Sequence, residues 1–119
     1  MPKTLVMGAS PNPSRYAHMA VLRLLKHNHE VKAVGLRSGE INGIEIQKGE
    51  PGISDVHTIT MYVGKRNQLP LYDYILSLKP ERVIFNPGAE NPELESLLSK
   101  QGAEVLRACT LVMLSSGEY

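Results

Sequence analysis

The feature that most constrains this chain is an apolar run, residues 4–7, that stops abruptly in Gly8-Ala9-Ser10-Pro11-Asn12-Pro13-Ser14-Arg15, after which a helical pattern begins. It reads as a buried strand, a tight loop and a helix start. In open α/β sheets such a junction gathers free backbone N–H groups and the positive end of a helix dipole, which together suit a phosphate. The Gly-x-Gly-x-x-Gly signature is absent, and Pro11 and Pro13 stand where a pyrophosphate loop usually keeps donors.

The rest of the chain repeats the alternation. Residues 15–27 form an amphipathic helix pattern with Ala17, Ala20, Val21, Leu24 and Leu25 on one face, Ser14 as N-cap and Asn28 suited to a left-handed exit. Residues 30–34 give a second strand, and strand–helix–strand over so short a span predicts a right-handed parallel βαβ unit. Residues 35–56 are glycine-rich, with one short accessory strand at 41–46 near the mouth of the site. A third main strand at 56–63 precedes a helix from an Asn67 cap to Leu78, with Leu71, Ile75 and Leu78 buried. Residues 82–85 form a fourth strand. Next comes a helix capped by Asn91, with Pro92 at its first position, Leu94, Leu97 and Leu98 inward and Gly102 as its stop. A fifth strand at 104–106 and a terminal helix at 109–115, docked by Leu111, Val112 and Leu114, complete the pattern.

This alternation predicts one α/β domain: a Rossmann-like, doubly wound parallel sheet of about five strands with helices on both faces. The expected order is 3-2-1-4-5, which places the ligand crevice beyond the C-terminal ends of the first and fourth strands. The 119 residues suffice for one core and leave little room for a second domain. The net charge of +1 gives no reason to expect a sequence-independent grip on nucleic acid or an acidic membrane. A lone Cys109, no leader-like start and no long apolar run predict a reducing cytoplasmic home without a membrane span.

Four strand-end loops then share one rim: residues 8–15, residues 35–37, the stretch from Met61, Tyr62 and Val63 to Arg66, and residues 86–90. Arg15, Arg37, Lys65 and Arg66 lie on them, as phosphate ligands or as solvated surface charges. A NAD-binding domain places a carboxylate at the end of the second strand, whereas this chain reads Val34-Gly35-Leu36-Arg37. Arg37 favours a nucleotide with an extra ribose phosphate, NADP or coenzyme A. His18, His27 and His29 read as helix and turn surface residues, and His57 as structural. No His-x-His or Cys-x-x-Cys spacing suggests a metal. Cys109 is a small core residue or a partner for a thiol ligand. Tyr72 and Tyr74 fall on a helix flank.

The Gly8-Ala9-Ser10-Pro11 turn with Arg15, Ile41-Asn42-Gly43, Asp55-Val56, Phe85-Asn86-Pro87-Gly88, and Gly102 followed by a strand and Cys109 occur in an order that resembles the CoA-binding domain family. Its members are similar to the N-terminal Rossmann-like domain of the succinyl-CoA synthetase alpha subunit. The resemblance implies coenzyme A or an acyl-CoA as ligand. Gly8, Ala9, Ser10, Pro11 and Arg15 would lie at the pyrophosphate, and Leu36 and Arg37 at the adenosine and its phosphate. Tyr62 and Val63 would lie on the adenine or ribose side, with Met61 and Arg66 also in the cofactor site, and Asn86, Pro87 and Gly88 along the pantetheine arm. Many relatives carry Asn-Pro where this chain has Gly35-Leu36. The resemblance also implies binding without catalysis, because the synthetase uses a phosphorylated histidine on a further domain and a partner subunit. Two other readings stay open: an NADP-binding reductase-like domain, for which no Tyr-x-x-x-Lys pair is present, and a regulatory protein that has lost its ligand. The sequence leaves a homodimer open as well.

Overall fold

The computed structural model describes residues 2–119. Seven strands form one mixed sheet: β1 (Lys3–Met7), β2 (Glu30–Val34), β3 (Gly39–Ile41), β4 (Ile44–Gln47), β5 (Val56–Met61), β6 (Arg82–Phe85) and β7 (Glu104–Arg107). Four helices connect or flank them: α1 (Tyr16–Lys26), α2 (Tyr72–Ser77), α3 (Pro92–Lys100) and α4 (Thr110–Ser116). The spatial order is β3-β4-β2-β1-β5-β6-β7, parallel throughout except where β3 runs antiparallel to β4.

The five long strands therefore lie as 2-1-3-4-5 in chain order, not 3-2-1-4-5. The glycine-rich middle segment supplies the reason. It is a hairpin rather than a single strand, turning at Asn42 and Gly43, both with positive φ (48° and 90°), as a type I′ connection requires. Its second strand takes the outer edge of β2, with Ala33 opposite Ile46 and Val34 opposite Gln47. With that edge occupied, residues 56–61 cross back to the free edge of β1. Five of the six residues of β5 are buried, as suits a strand covered on both faces. The chain order now reverses between β1 and β5, so the crevice of a doubly wound sheet falls there rather than between β1 and β6.

The sheet is covered on both sides. Val6, Ala17, Val21, Leu24, Ile46 and Leu114 form the core under α1 and α4; Leu5, Ile59, Met61, Ile75, Phe85 and Leu94 form the core under α2 and α3. Local signals explain the helix ends. Asn28 leaves α1 at φ 65°, Gly102 follows α3 at φ 97°, and the Asn91 side chain accepts from the Leu94 N–H at 3.4 Å to cap α3.

Several predicted details shift. Arg15, not Ser14, is the N-cap of α1, because the Ser14 amide and hydroxyl both bond Asn12 Oδ1 (3.0 and 2.8 Å). The third long strand ends at Met61 rather than 63. The Asn67-capped helix is replaced by two 3-10 turns, Lys65–Asn67 and Leu69–Leu71, before the short α2, since Pro70 has no N–H to extend a helix through that point. Tyr74 points inward and donates to the Pro51 carbonyl (2.6 Å), pinning the segment between β4 and β5. Leu97 and Val112 are exposed, and Met113 rather than Val112 docks α4. Among the described residues no helix is long and apolar enough to cross a membrane.

Candidate functional site

The loops after β1, β2, β5 and β6 meet at one rim, and glycines let them approach. A Cβ on Gly8 (φ 97°) would sit 3.0 Å from the Tyr62 carbonyl carbon and 3.1 Å from Val63 N, so the first loop lies flat against the end of β5. A Cβ on Gly35 would fall 2.1 Å from the Ala9 carbonyl oxygen, and one on Gly39 would meet the Pro11 ring at 2.9 Å. The loop after β1 is thus wedged between the exits of β2 and β5, over the crevice the sheet order defines.

Its backbone donors are partly spent. The Gly8 and Ala9 amides both donate to the Val34 carbonyl (2.8 and 2.9 Å), the Asn12 amide to Ser10 Oγ (3.1 Å) and the Arg15 amide to the Asn12 carbonyl (3.1 Å). Pro11 and Pro13 have none to offer. Among the described residues, the amides left without an acceptor are those of Ser10 and of Tyr16, Ala17 and His18 in the first turn of α1. They stand at the positive end of an eleven-residue helix with no acidic residue in its first turn. Arg15, Arg37, Lys65 and Arg66 are exposed around this rim, and none makes an ion pair among the described residues. Apolar surface accompanies the charge: Leu36 is 95% exposed, Tyr16 70% and Leu69 65%. An anionic ligand carrying a flat or apolar portion finds both kinds of contact here.

Ser10, Pro11, Arg15, Leu36, Arg37, Arg66, Pro87 and Gly88 keep surface at the rim, whereas others assigned to it do not. Met61 is fully buried in the core under α2 and α3. Ala9 is buried, with its amide bonded to the Val34 carbonyl and its own carbonyl lying close against Gly35. Asn86 is internal too: Nδ2 donates to Thr60 Oγ1 (2.8 Å) and the Met61 carbonyl (2.9 Å), while Oδ1 accepts from the Thr110 N–H (2.8 Å). It caps α4 from another strand, and its burial leaves almost no surface for a pantetheine arm. Tyr62 and Val63 are half-buried and pack on opposite faces of the sheet. The Tyr62 hydroxyl is buried without a partner, and burial, with Cys109 adding to it, pushes its pKa up to about 12.

Two residues that the sequence left as bystanders organise the rim. Buried Gln68 donates through Nε2 to the carbonyls of Val63 and Ala89 (both 2.8 Å) and accepts from Asn91 Nδ2 (2.8 Å), tying the β5 exit to the β6 exit and to the α3 cap. His18 is half-buried, and its Nδ1 lies 2.9 Å from the Ser10 carbonyl. Only the order of charges in the sequence hinted at such loops; neither contact is local enough to show in it. Two surface depressions, of about 300 and 90 Å³, are bordered by Lys79, Pro80, Glu81, Gln101 and Gly102 and by a His29, His57, Arg82 and Tyr119 group, all near the N-terminal ends of the strands. The rim described above is the one with free helix amides, unpaired cations and a switch point, and on those physical grounds it is the candidate site.

A doubly wound α/β sheet whose chain order reverses between β1 and β5 defines the Rossmann-like class. Within that class, the sequence profile of the family described as CoA binding domain matches residues 2–115, and the chain belongs to that family. Solved structures agree on the fold. A crystal structure of an uncharacterized protein is 53% identical, with a TM-score of 0.97 over 100% of this chain and 98% of that one. A Thermus thermophilus protein of 22% identity superposes with a TM-score of 0.83, covering 99% of this chain and 90% of that one. The acetyl-coenzyme A synthetase 1 of Ca. Korarchaeum cryptofilum, in complex with phosphate and ADP, is 21% identical with a TM-score of 0.70; the match covers 89% of this chain and 25% of that one. Among curated proteins no significant match exists.

Proposed function

We propose that this protein binds coenzyme A or an acyl-CoA along the rim between the β1 and β5 exits, as a binding module without a reaction of its own. The observation that carries the reading is the set of unpartnered amides at the start of α1, surrounded by Arg15, Arg37, Lys65 and Arg66 with no carboxylate paired to them, in a chain of the CoA binding domain family. Coenzyme A carries a pyrophosphate and a third phosphate on its ribose, so several separated cations suit it better than one. The helix start and Ser10 take the pyrophosphate, Arg37 the ribose phosphate, and Leu36 flanks the adenine.

Calorimetry with CoA, dephospho-CoA, NADP and NAD tests the reading. CoA is expected to bind about tenfold or more tightly than dephospho-CoA, one good charge-assisted contact being worth about 1.5–3 kcal/mol. Arg37→Ala is expected to abolish that difference while leaving dephospho-CoA binding unchanged. Preference for NADP over CoA, or no binding by any of the four, overturns the proposal.

A further inference from the structure

We infer that His18 is a positioning residue for the anion cradle: as the Nδ1–H tautomer it donates to the Ser10 carbonyl and holds the Ser10–Pro11 peptide turned away from the ligand. The inference rests on the ligand-binding reading above for its functional consequence, and on geometry for the rest. His18 is the third residue of α1, and from that position its side chain leans back over the helix start toward the loop. Its Nδ1 lies 2.9 Å from the Ser10 oxygen. A carbonyl oxygen can only accept, so Nδ1 must carry the proton, although free imidazole favours the proton on Nε2.

The surrounding loop explains why this one bond matters. The other loop amides are tied down: those of Gly8 and Ala9 on Val34, Asn12 on Ser10 Oγ, Ser14 and Arg15 on Asn12. Ser10 is the loop residue whose amide remains free beside the three at the helix start. Its carbonyl, in the peptide that leads to Pro11, is the dipole that would repel an anion if it turned toward the cradle. Pro11 supplies no N–H to stabilise that peptide from the other side. His18 satisfies the carbonyl and fixes its direction, so the ligand meets donors only. The imidazole does so without touching the ligand, to which His18 offers only its backbone amide, and this separates the side chain's role from that of the arginines of the rim.

Long-range ¹H–¹⁵N correlation spectra of the ligand-free protein at pH 8 test the tautomer directly. A protonated Nδ1 on His18 is expected, and a protonated Nε2 overturns the assignment whether or not CoA binds. For the consequence, CoA titrations compare wild type with His18→Ala and His18→Asn. The Asn amide nitrogen stands where Nδ1 stands and keeps the donor. We expect about fivefold to tenfold weaker binding for His18→Ala, near-native binding for His18→Asn, and melting temperatures that do not follow that split. Equal affinity of His18→Ala and wild type, or equal loss in both variants, overturns the positioning role. Failure of wild type to bind CoA overturns the proposed function instead and leaves the tautomer measurement to decide on His18. If His18→Ala does not fold, the His18→Asn affinity and the tautomer decide.

Discussion

Gly35→Ala tests how tightly the loop after β1 is held. Gly35 does not need glycine for its backbone angles, since it is not among the residues with positive φ. It needs glycine for space: the new Cβ would stand 2.1 Å from the Ala9 carbonyl oxygen and 3.1 Å from Ile46 Cγ2. Relief to an ordinary contact requires the loop and the β2 exit to separate by about 1 Å, as expected for overpacking of a dense site. The first casualties are the two bonds from the Gly8 and Ala9 amides to the Val34 carbonyl. Overpacking costs about 1–3 kcal/mol and each lost bond about 1 kcal/mol, so a loss of about 2–5 kcal/mol follows. For a domain of this size that lowers the melting temperature by about 10–20 °C. Thermal unfolding followed by circular dichroism measures it, with Gly64→Ala as the control. Gly64 has nothing within 4 Å of its Cβ direction and an ordinary φ of −63°, so that change should be neutral or stabilise by up to about 1 kcal/mol. A Gly35→Ala protein melting within about 2 °C of wild type would refute the claim that close approach dictates this glycine.

Three further outcomes are expected. Asn86→Ala removes three side-chain hydrogen bonds and leaves the Thr110 amide uncapped in the interior, so urea unfolding should show a loss of about 3–5 kcal/mol. Tyr62→Phe deletes a buried hydroxyl with no partner at hydrogen-bonding geometry; stability should stay level or rise by up to about 1 kcal/mol, and an ultraviolet pH titration should lose one of the tyrosines whose ionisation burial raises. Burial, with His27 and Arg82 nearby, lowers the His29 pKa below its ordinary 6.5, so the folded protein binds fewer protons there than the unfolded chain. The His29 contribution is therefore intact above pH 6.5 and declines as pH falls through that value; denaturant titrations from pH 5 to 7.5 should show a shallower slope for His29→Gln than for wild type.

What was legible in the sequence was what depends on near neighbours. Asn91, Pro92 and Gly102 bound α3 because a cap, a first-turn proline and a left-handed exit are decided within a few residues. Asn28 closes α1 for the same reason. The sheet order needed more, because it turns on whether the segment after β2 returns as a helix or folds into a hairpin. A signal for the hairpin was present: Asn42-Gly43 between Ile41 and Ile44 is a type I′ turn flanked by apolar residues. Once the hairpin closes the β2 edge, β5 must go to β1, and the crevice moves with it. The site divides along the same line. The absence of a carboxylate after β2 is a local fact of the sequence, and the Leu36 and Arg37 that stand there are exposed. Asn86 could not be oriented from near neighbours, because a polar residue at a strand end can face a ligand or the interior. The choice was made by Thr60 and Thr110, far away in the chain. The first loop shows the limit most clearly: its small residues suggested a cradle of free amides, yet two of those amides serve Val34. The loop's own donors are mostly used to build its shape, and the amides left unpartnered are those of Ser10 and the start of α1.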